Sequence, residues 1–341
     1  MSEEAMSSNA EADRKSKNLP VLPAFDELPR LDGVPCSWEV WGPNDTYGSL
    51  NLLTAEKVLR AASLVQEGKV FPLNWTLSLP DPPLFARTTL QHKVTKTPIS
   101  ADDHIDGFNT QSSSQWDGFL HIRHPSHGHY GGSEREGLLG IDRWAERGIV
   151  GRAVLADVAR WRQQQGRPLE QGSPDAITVE DLEATLEAQG SSLEAGDILL
   201  VRTGWIEWYE SLSAQERAER SNMANFACPG LVPGTGTARW LWDRHIAAVA
   251  ADNPSLEIWP PGSTLEEPQR SRFWSDPQLI HEGFLHTILL PMLGIPIGEM
   301  WYLDSLAEDS AKNGRFEAML VSAPLNLRGG IASPPNAIAI K

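Results

Sequence analysis

The sequence predicts an α/β fold, and three segments near its middle support that prediction. Residues 147–158 (RGIVGRAVLADV) and 196–205 (GDILLVRTGW) are apolar runs next to glycine turns, which is typical of buried strands. Between them, residues 178–190 (TVEDLEATLEAQG) predict a helix, with Thr178 as its N-cap and Gly190 at its end. Because helix and strand alternate, we expect one sheet covered by helices rather than separate all-α and all-β modules.

The flanking segments continue this alternation. Further helices are predicted at 54–69 and 238–246, and further strands in VFPLNWTLSL, IAAVAADNP and GRFEAMLVSAPLNL. SPPN at 333–336 predicts a tail or surface turn. No linker rich in Gly, Ser or Pro divides the chain, so we expect a single domain over residues 20–341. The composition of residues 1–19 predicts a disordered tail before it.

The composition narrows the classes of partner and compartment. The net charge of -16 disfavours binding to nucleic acid or to anionic membranes. The sequence shows neither an apolar run of the ~20 residues that a membrane span needs nor a secretory signal, and we expect a cytoplasmic protein. Cys36 and Cys228 lie far apart and are expected to be reduced, buried thiols. No GxGxxG or GxxxxGK[ST] motif indicates a nucleotide cofactor, and no GxSxG motif indicates a serine hydrolase.

The densest polar segment covers residues 102–132 and contains five histidines. Loops that carry function often have such a composition, although a solvated hydrophilic loop has it too. His104 lies just before the central part of the segment and is a candidate to line a site. The later histidines at 124, 127 and 129 are expected to be loop residues rather than metal ligands, because Pro125 and Gly128 break any helix that would align them.

Within this segment, QSSSQWDGFLH at 111–121 resembles the HxGTHxDxxxH signature of the cyclase superfamily, which includes kynurenine formamidases and isatin hydrolases. Three more segments resemble the family in the same order: WGPNDTYGSLNLLTAEKV, GDILLVRTGW and LHTILLPMLGIPIGEMWYLDSL. The resemblance implies a swivelling β/β/α fold, assembly as homodimers or larger, one or two divalent ions (usually zinc or manganese), and hydrolysis of an amide beside an aromatic ring.

Residue by residue, the resemblance implies roles for six side chains. Asp117, His286 and Glu299 match metal ligands of the family, and His121 matches its general acid/base. Gln111 and Gln115 stand where the family has two metal-binding histidines. A glutamine carbonyl is a weaker ligand for zinc than an imidazole. A metal is therefore expected to be held weakly or to be a harder ion such as manganese, or to be absent, with both glutamines contacting the substrate directly.

Three functions remain open at this point. The first is hydrolysis of an amide or ester bond, such as that of a lactam or lactone, in an aromatic or polyketide-like small molecule. The second is a non-hydrolytic cyclase, dehydratase or isomerase of secondary metabolism that uses His121 and Asp117 as acid and base. The third is a ligand-binding protein without catalysis. Trp116 and His104 join the two glutamines as candidate substrate contacts in each case.

Two of the implied ligands have structural alternatives. A histidine in the apolar FLHTILL context, such as His286, is also typical of a protein core. Glu299 lies in an apolar stretch and needs a partner if it is buried. Arg202 is the candidate cation for such a structural ion pair.

Overall fold

The computed structural model describes residues 22–277 and 279–341. The predicted tail at 1–19 lies outside the described residues. The strands are Arg30–Leu31 (β1), Val34–Pro35 (β2), Val70–Pro72 (β3), Gln91–Lys96 (β4), Ala101–Asp106 (β5), Gln115–Asp117 (β6), Ile149–Ala156 (β7), Ala176–Ile177 (β8), Ile198–Val201 (β9), Gly230–Leu231 (β10), Ala248–Ala251 (β11), Ile297–Glu299 (β12), Glu317–Ser322 (β13), Ala332–Ser333 (β14) and Ala337–Ile340 (β15).

The α-helices are Ala55–Ala62 (α1), Asp142–Arg147 (α2), Val158–Gln164 (α3), Val179–Gln189 (α4), Trp205–Ser211 (α5), Ala214–Ser221 (α6), Thr235–Asp243 (α7), Gln269–Arg272 (α8), Ile280–Gly283 (α9), His286–Ile288 (α10) and Asp304–Asn313 (α11). Short 3₁₀ turns occupy Phe25–Glu27, Gly48–Leu52, Ser133–Leu138 and Phe273–Ser275, and a π turn occupies Leu289–Leu293. Within the described residues, no helix is both long and apolar enough to cross a membrane.

A curled sheet of nine strands organises the molecule, in the order β14-β6-β12-β11-β9-β7-β13-β15-β3. The four strands β12, β11, β9 and β7 run parallel at its centre. Strand β9 is buried along its whole length, which explains its continuous apolar sequence ILLV. Antiparallel strands β6 and β13 flank the parallel centre. This mixed α/β architecture confirms the predicted fold class.

Local sequence signals account for several element ends. The Thr178 hydroxyl accepts from Asp181 N at 3.2 Å, and Gly190 ends α4 in the left-handed conformation, as the sequence predicts. Helix α1 is shorter than predicted and ends at Ala62. Next to that end, the Ser63 hydroxyl bonds the Arg60 carbonyl at 2.6 Å and competes with further helix growth.

Of the two structures predicted at 333–336, a tail or a surface turn, the tail is not formed. Residues 332–333 and 337–340 form strands β14 and β15, and residues 334–336 only connect them. Ala337 and Ala339 are fully buried, so the alternating AIAI sequence marks a half-buried strand that the sequence analysis missed. Because β14 pairs with β6, this segment supports the strand that carries Gln115 and Asp117.

The break at Gly294 positions strand β12. The helical segment from His286 ends there, with Gly294 in the left-handed region at φ 63°. A Cβ at this position would lie 2.5 Å from the Tyr130 ring, so only glycine fits. Cys36 and Cys228 are free and buried, in agreement with their predicted state.

Candidate functional site

Strands β6 and β12 bring the two distant parts of the predicted site together. Gln115 and Asp117 are two residues apart on β6 and therefore project to the same face of the sheet. Glu299 pairs in register with Gln115 across the two strands. His286, from α10, places Nε2 3.1 Å from Glu299 Oε1 and 3.7 Å from Asp117 Oδ2. All four side chains are buried, and residues 111–121 and 286–299 meet in one cluster as predicted.

Both glutamines act as hydrogen-bond donors to Asp117. Gln111 Nε2 lies 2.7 Å from Asp117 Oδ1, and Gln115 Nε2 lies 3.4 Å from each Asp117 oxygen and also donates to Glu299. Because ionised carboxylates only accept hydrogen bonds, these contacts fix which end of each amide faces the acids. The two residues thus present N–H groups to Asp117, whereas a metal ligand would present an oxygen. Gln115 Oε1 is buried without a hydrogen-bond partner among the described residues.

His121 lies at the solvent side of this cluster, with its side chain 23% exposed. Its Nδ1 accepts from Gln111 Nε2 at 3.0 Å, which places the proton of the neutral ring on Nε2. That Nε2 is 3.9 Å from Asp117 Oδ1. Asp117 ends a strand and His121 follows in a turn, which brings the two side chains together. Burial lowers the pKa of His121, which favours the neutral imidazole.

Glu257 is a site residue that sequence reasoning missed. Both of its carboxylate oxygens lie 2.9 Å from His286 Nδ1, and one also accepts from the His286 main-chain N–H at 3.3 Å. The side chain is fully buried. A carboxylate at Nδ1 fixes the tautomer and direction of the ring, so that Nε2 points toward Asp117 and Glu299. A lone acid between apolar neighbours in SLEIWP was the available sequence signal.

The backbone beside two of these acids is strained. Leu256 precedes Glu257 with φ 55°, and Met300 follows Glu299 with φ 52°. Such left-handed conformations are costly for residues other than glycine and are enriched at functional sites. They support the assignment of this cluster, rather than another polar network, as the functional centre.

The buried charges shift one another's protonation. Burial opposes ionisation of Asp117, but the neighbouring His121, His286 and Arg87 lower its pKa to about 2. Burial, followed by the negative charge of Asp117, raises the pKa of Glu299 to about 7. Burial alone would lower the pKa of His286, yet the Glu257 charge and the bonds to the three carboxylates raise it well above its usual value.

Arg87 is the second residue that sequence reasoning missed. Its guanidinium donates to the Gln111 carbonyl and lies over the Phe85 ring at 4.9 Å. Burial lowers the pKa of Arg87, while the charges of Glu299 and Asp117 favour its cationic form. It therefore adds a positive charge beside the two acids. It lies in a loop, FARTT, that carries no motif, so no sequence signal identified it.

Two predicted substrate contacts lie elsewhere. Trp116 projects from the opposite face of β6, fully buried, where its indole N–H donates to Ser322 Oγ at 2.9 Å. Its ring packs against Trp144 and Trp301, so the prediction that it binds substrate is corrected: it is a core residue. His104 lies on the exposed β4–β5 hairpin, where its imidazole is 4.0 Å from Asp106, and these contacts give it no role in the cluster.

The alternative ion pair between Arg202 and Glu299 is not formed. Arg202 pairs instead with Asp157, Asp304 and Glu207. Glu299 is satisfied by Gln115 and His286, as described above. The structural alternative for Glu299 is therefore wrong.

A separate histidine pair lies in the polar segment and α9. His124 Nδ1 accepts from Ser126 N at 3.1 Å, so its proton is on Nε2, which lies 3.2 Å from His281 Nε2. His281 Nδ1 in turn lies 3.1 Å from Thr287 Oγ1. These bonds require two neutral rings, in agreement with a structural role and with the prediction that His124 is not a metal ligand.

The cluster fits a divalent cation. One donor atom from each of Asp117, His121 and His286 lies within 4.8 Å of the others. This set shares two residues with the predicted set of Asp117, His286 and Glu299. We retain Glu299 as the third residue, because Gln111 already occupies the free lone pair of His121. The orphaned Gln115 Oε1 is a further hard donor, and Glu257 orients His286 as metal-binding histidines are usually oriented.

Comparison with known proteins places the chain in a family. A family model described as "Putative cyclase" matches residues 53–258. A crystal structure described as a novel cyclase is 33% identical, with a TM-score of 0.74, and the match covers 90% of this chain and 99% of that one. The chain belongs to the cyclase family. Among curated proteins, the comparison gave no match.

Isatin hydrolases share the fold of this cyclase-family chain. Isatin hydrolase A from Labrenzia aggregata, bound to benzyl benzoate, is 18% identical with a TM-score of 0.52, over 85% of this chain and 98% of that one. Isatin hydrolase A from Ralstonia solanacearum is 17% identical with a TM-score of 0.54, over 84% of this chain and 98% of that one. At these identities the likeness shows the common architecture.

Proposed function

We propose that this cyclase-family protein is a hydrolase that cleaves an amide or ester bond, such as that of a lactam or lactone, in an aromatic small molecule. The observation that carries the proposal is the convergence of Asp117, Glu299 and His286, with His121 on the solvent side of Asp117. Carbonyl hydrolysis needs a group that polarises the carbonyl and a group that moves a proton. Asp117, Glu299 and His286 would hold an ion for the first task, and His121 would perform the second.

Asp117, His286 and Glu299 would hold the divalent ion, with Gln115 Oε1 as a neutral donor after rotation of its amide. When bound, such an ion acts as a Lewis acid toward a carbonyl oxygen and makes water a better nucleophile at neutral pH. We propose manganese or zinc, with manganese favoured by a donor set that is mostly oxygen. Glu257 keeps His286 in the tautomer that presents Nε2.

His121 would move the proton. Its neutral ring can accept a proton at Nδ1 once the Gln111 amide releases that nitrogen, and the partly exposed Gln111 side chain allows this movement. The ionised Asp117 then stabilises the imidazolium at 3.9 Å. As the carbonyl carbon gains the water oxygen, His121 returns the proton to the leaving nitrogen or oxygen, which leaves a carboxylic acid product.

The setting of the cluster supports an aromatic substrate. Phe284 stacks on His286 with a centroid distance of 5.1 Å, and both Phe284 and Phe85 are partly exposed. Phe85 in turn contacts Trp259 at 5.0 Å. Partly exposed aromatic rings beside a buried polar centre are typical of pockets for flat organic ligands. Two proteins of similar fold are isatin hydrolases, so isatin is a first substrate to try.

The second candidate is a non-hydrolytic cyclase, dehydratase or isomerase that uses His121 and Asp117 without a metal. The N–H groups that Gln111 and Gln115 present to Asp117 favour it, because they provide hydrogen bonds to the ionised carboxylate without a metal. In either case the partner is a small molecule. Assembly as a homodimer or larger stays a prediction.

A hydrolysis screen tests the proposal. The protein is incubated with isatin and a panel of aromatic lactams, lactones and esters, with manganese or zinc and, separately, with EDTA. We expect turnover of at least one compound that EDTA and Asp117→Asn both abolish. Turnover that persists unchanged in EDTA would favour the metal-free candidate, and no hydrolysis of any panel member under either metal would contradict the proposal.

A further inference from the structure

Among the described residues, Arg87 is one of the shielded arginines without an acidic partner in an ion pair, as is Arg147. Arg152, Arg162 and Arg202 each form ion pairs with at least two carboxylates. Among the described residues, Arg87 forms no ion pair, and its one side-chain hydrogen bond goes to the Gln111 main-chain carbonyl. A guanidinium has five N–H donors, so most of those on Arg87 are left for another partner. Asp117 and Glu299 favour its charge from a distance, but no carboxylate among the described residues contacts it, so a direct ion pair is left for a ligand to supply.

The surroundings of Arg87 indicate which ligand would supply that charge. Arg87 follows Phe85, over whose ring its guanidinium lies, and both side chains are partly exposed. The Phe85 ring contacts Phe226 at 5.6 Å and Trp259 at 5.0 Å, which forms an aromatic wall beside the cation. A flat ring can therefore lie against the wall while its anionic substituent reaches Arg87.

Electrostatics also restricts where an anion can bind. Asp117 and Glu299 contribute negative charge to the cluster, and they act directly on Arg87. An anionic group entering on their side would be repelled in a site of low dielectric constant. Beside Arg87 it would instead gain a charge-assisted pair, bidentate if the group is a planar carboxylate.

We propose that Arg87 is a substrate-binding residue that recognises a carboxylate on an aromatic substrate. This inference rests on the proposed hydrolase function and deepens it: the substrate is an aromatic monocarboxylate with a hydrolysable amide or ester bond. Arg87 pairs with the carboxylate, and Phe85 and Trp259 contact the ring. The carboxylate is not altered in the reaction, and Arg87 neither gains nor loses a proton.

Binding of two simple probes tests this assignment. Benzoate and benzamide have similar shapes, but only benzoate is charged at neutral pH. Isothermal titration is made with wild-type protein, Arg87→Met, Arg87→Lys and a control, Arg147→Met. Arg147 is a matched control because it also lacks an acidic partner among the described residues, but it donates to the carbonyls of Leu53 and Gly148 and lies over Tyr47.

We expect Arg87→Met to raise the Kd of benzoate by at least about tenfold and that of benzamide by less than about threefold, because only the charged contact is lost. Arg87→Lys should give an intermediate benzoate affinity, and Arg147→Met should change neither probe. Equal losses for both probes, or no loss for benzoate, would overturn the assignment. If Arg87→Met does not fold, the ratio of the two affinities in Arg87→Lys decides.

Chelation separates this inference from the proposed function. With EDTA present, wild-type protein should keep most of its preference for benzoate over benzamide. If EDTA removes that preference while Arg87→Met keeps it, a bound metal holds the carboxylate and the Arg87 assignment fails, although the hydrolase proposal stands. If Arg87→Met loses the preference and no lactam or ester is hydrolysed, the anion site stands and the hydrolase proposal fails.

Discussion

His286 Nδ1 lies 2.9 Å from both carboxylate oxygens of Glu257, a residue 29 positions earlier in the chain. This contact gives His286 one defined direction, with Nε2 between Asp117 and Glu299. His286 is therefore part of the buried polar cluster and not only a core residue of the apolar FLHTILL segment. The first prediction follows from this contact.

Glu257→Gln should weaken metal binding. The amide keeps the size of the side chain but removes the charge that holds His286, so the Kd for manganese or zinc should rise by roughly 10–100-fold. Titration of the metal-depleted protein measures this change. Glu183→Gln, which alters an acid in an exposed ion pair with Arg244, is the control and should bind metal as the wild type does. A Glu257→Gln protein with unchanged affinity would show that His286 does not bind the ion.

Replacing Gln111 and Gln115 with histidine should raise the metal affinity of the site. In Gln111→His with Gln115→His, imidazole nitrogens replace the amide N–H groups that now face Asp117, so zinc affinity should rise by about tenfold or more. The matched control is Gln163→His with Gln164→His on the exposed surface of α3. If calorimetry gives the same zinc affinity for wild type and the site variant, positions 111 and 115 do not face the metal.

His121→Ala should lower turnover with little effect on stability. Loss of a general acid–base group typically costs about 10²–10⁴-fold in rate. The side chain is partly exposed and follows the strand, so the melting temperature should change little. The control is His129→Ala. His129 lies in the same polar segment, 102–132, and pairs with Glu136. Near wild-type turnover in a folded His121→Ala protein would contradict its role, and unfolding of the variant would show that the residue is structural.

The His124–His281 pair should make folding stability depend on pH. Burial, followed by repulsion from the charged forms of His124 and His127, lowers the pKa of His281 to about 3. Burial, followed by the charge of His127, lowers the pKa of His124 to about 4. Because both values lie below that of an unfolded histidine, the unfolded chain takes up protons first as the pH falls. The pair's contribution is therefore complete above pH ~6.5 and is lost progressively toward pH ~4.

His281→Gln isolates this effect from the carboxyl groups that titrate in the same range. Between pH 7 and 4.5, the wild type should lose about 1–3 kcal/mol more unfolding free energy than the variant. Urea unfolding at both pH values measures the difference, and His92→Gln, at an exposed histidine of the β4–β5 hairpin, is the control. An identical pH dependence in wild type and His281→Gln would show that the pair titrates normally.

The sequence predicted the elements whose signals are local. The N-cap at Thr178 and the glycine end at Gly190 are where the sequence placed them, and the strand predicted over 196–205 forms at 198–201. Each of these signals depends on neighbouring residues. The last strand, 337–340, was missed because its AIAI alternation is short and follows two prolines. Its burial depends on pairing with residues 15 to 21 positions earlier in the chain, which no local pattern reports.

The site was predicted to the extent that the family resemblance covered it. Asp117, His286 and Glu299 meet because β6 pairs with β12, a long-range contact that the order of motifs implied. Glu257 and Arg87 carry no motif, and only the fold brings them to the cluster. Trp116 was misplaced because residues 115–117 were taken as part of a functional loop. As a strand, they alternate faces and send Trp116 into the core.

The number of metal ions bound per chain is the decisive measurement for the proposal that Asp117, His286 and Glu299 form a metal site. Wild-type protein is dialysed against manganese or zinc at about 10 μM, freed of loose ions and measured by elemental analysis together with protein concentration. We expect one ion per chain, because Asp117, His286 and Glu299, with Gln115 Oε1 as a neutral donor, form one site while the amide of Gln111 blocks a second. Asp117→Asn should bind none, and Gln111→His with Gln115→His should approach two. A wild-type protein that binds no ion, or two ions per chain, would show that the proposed single metal site is wrong.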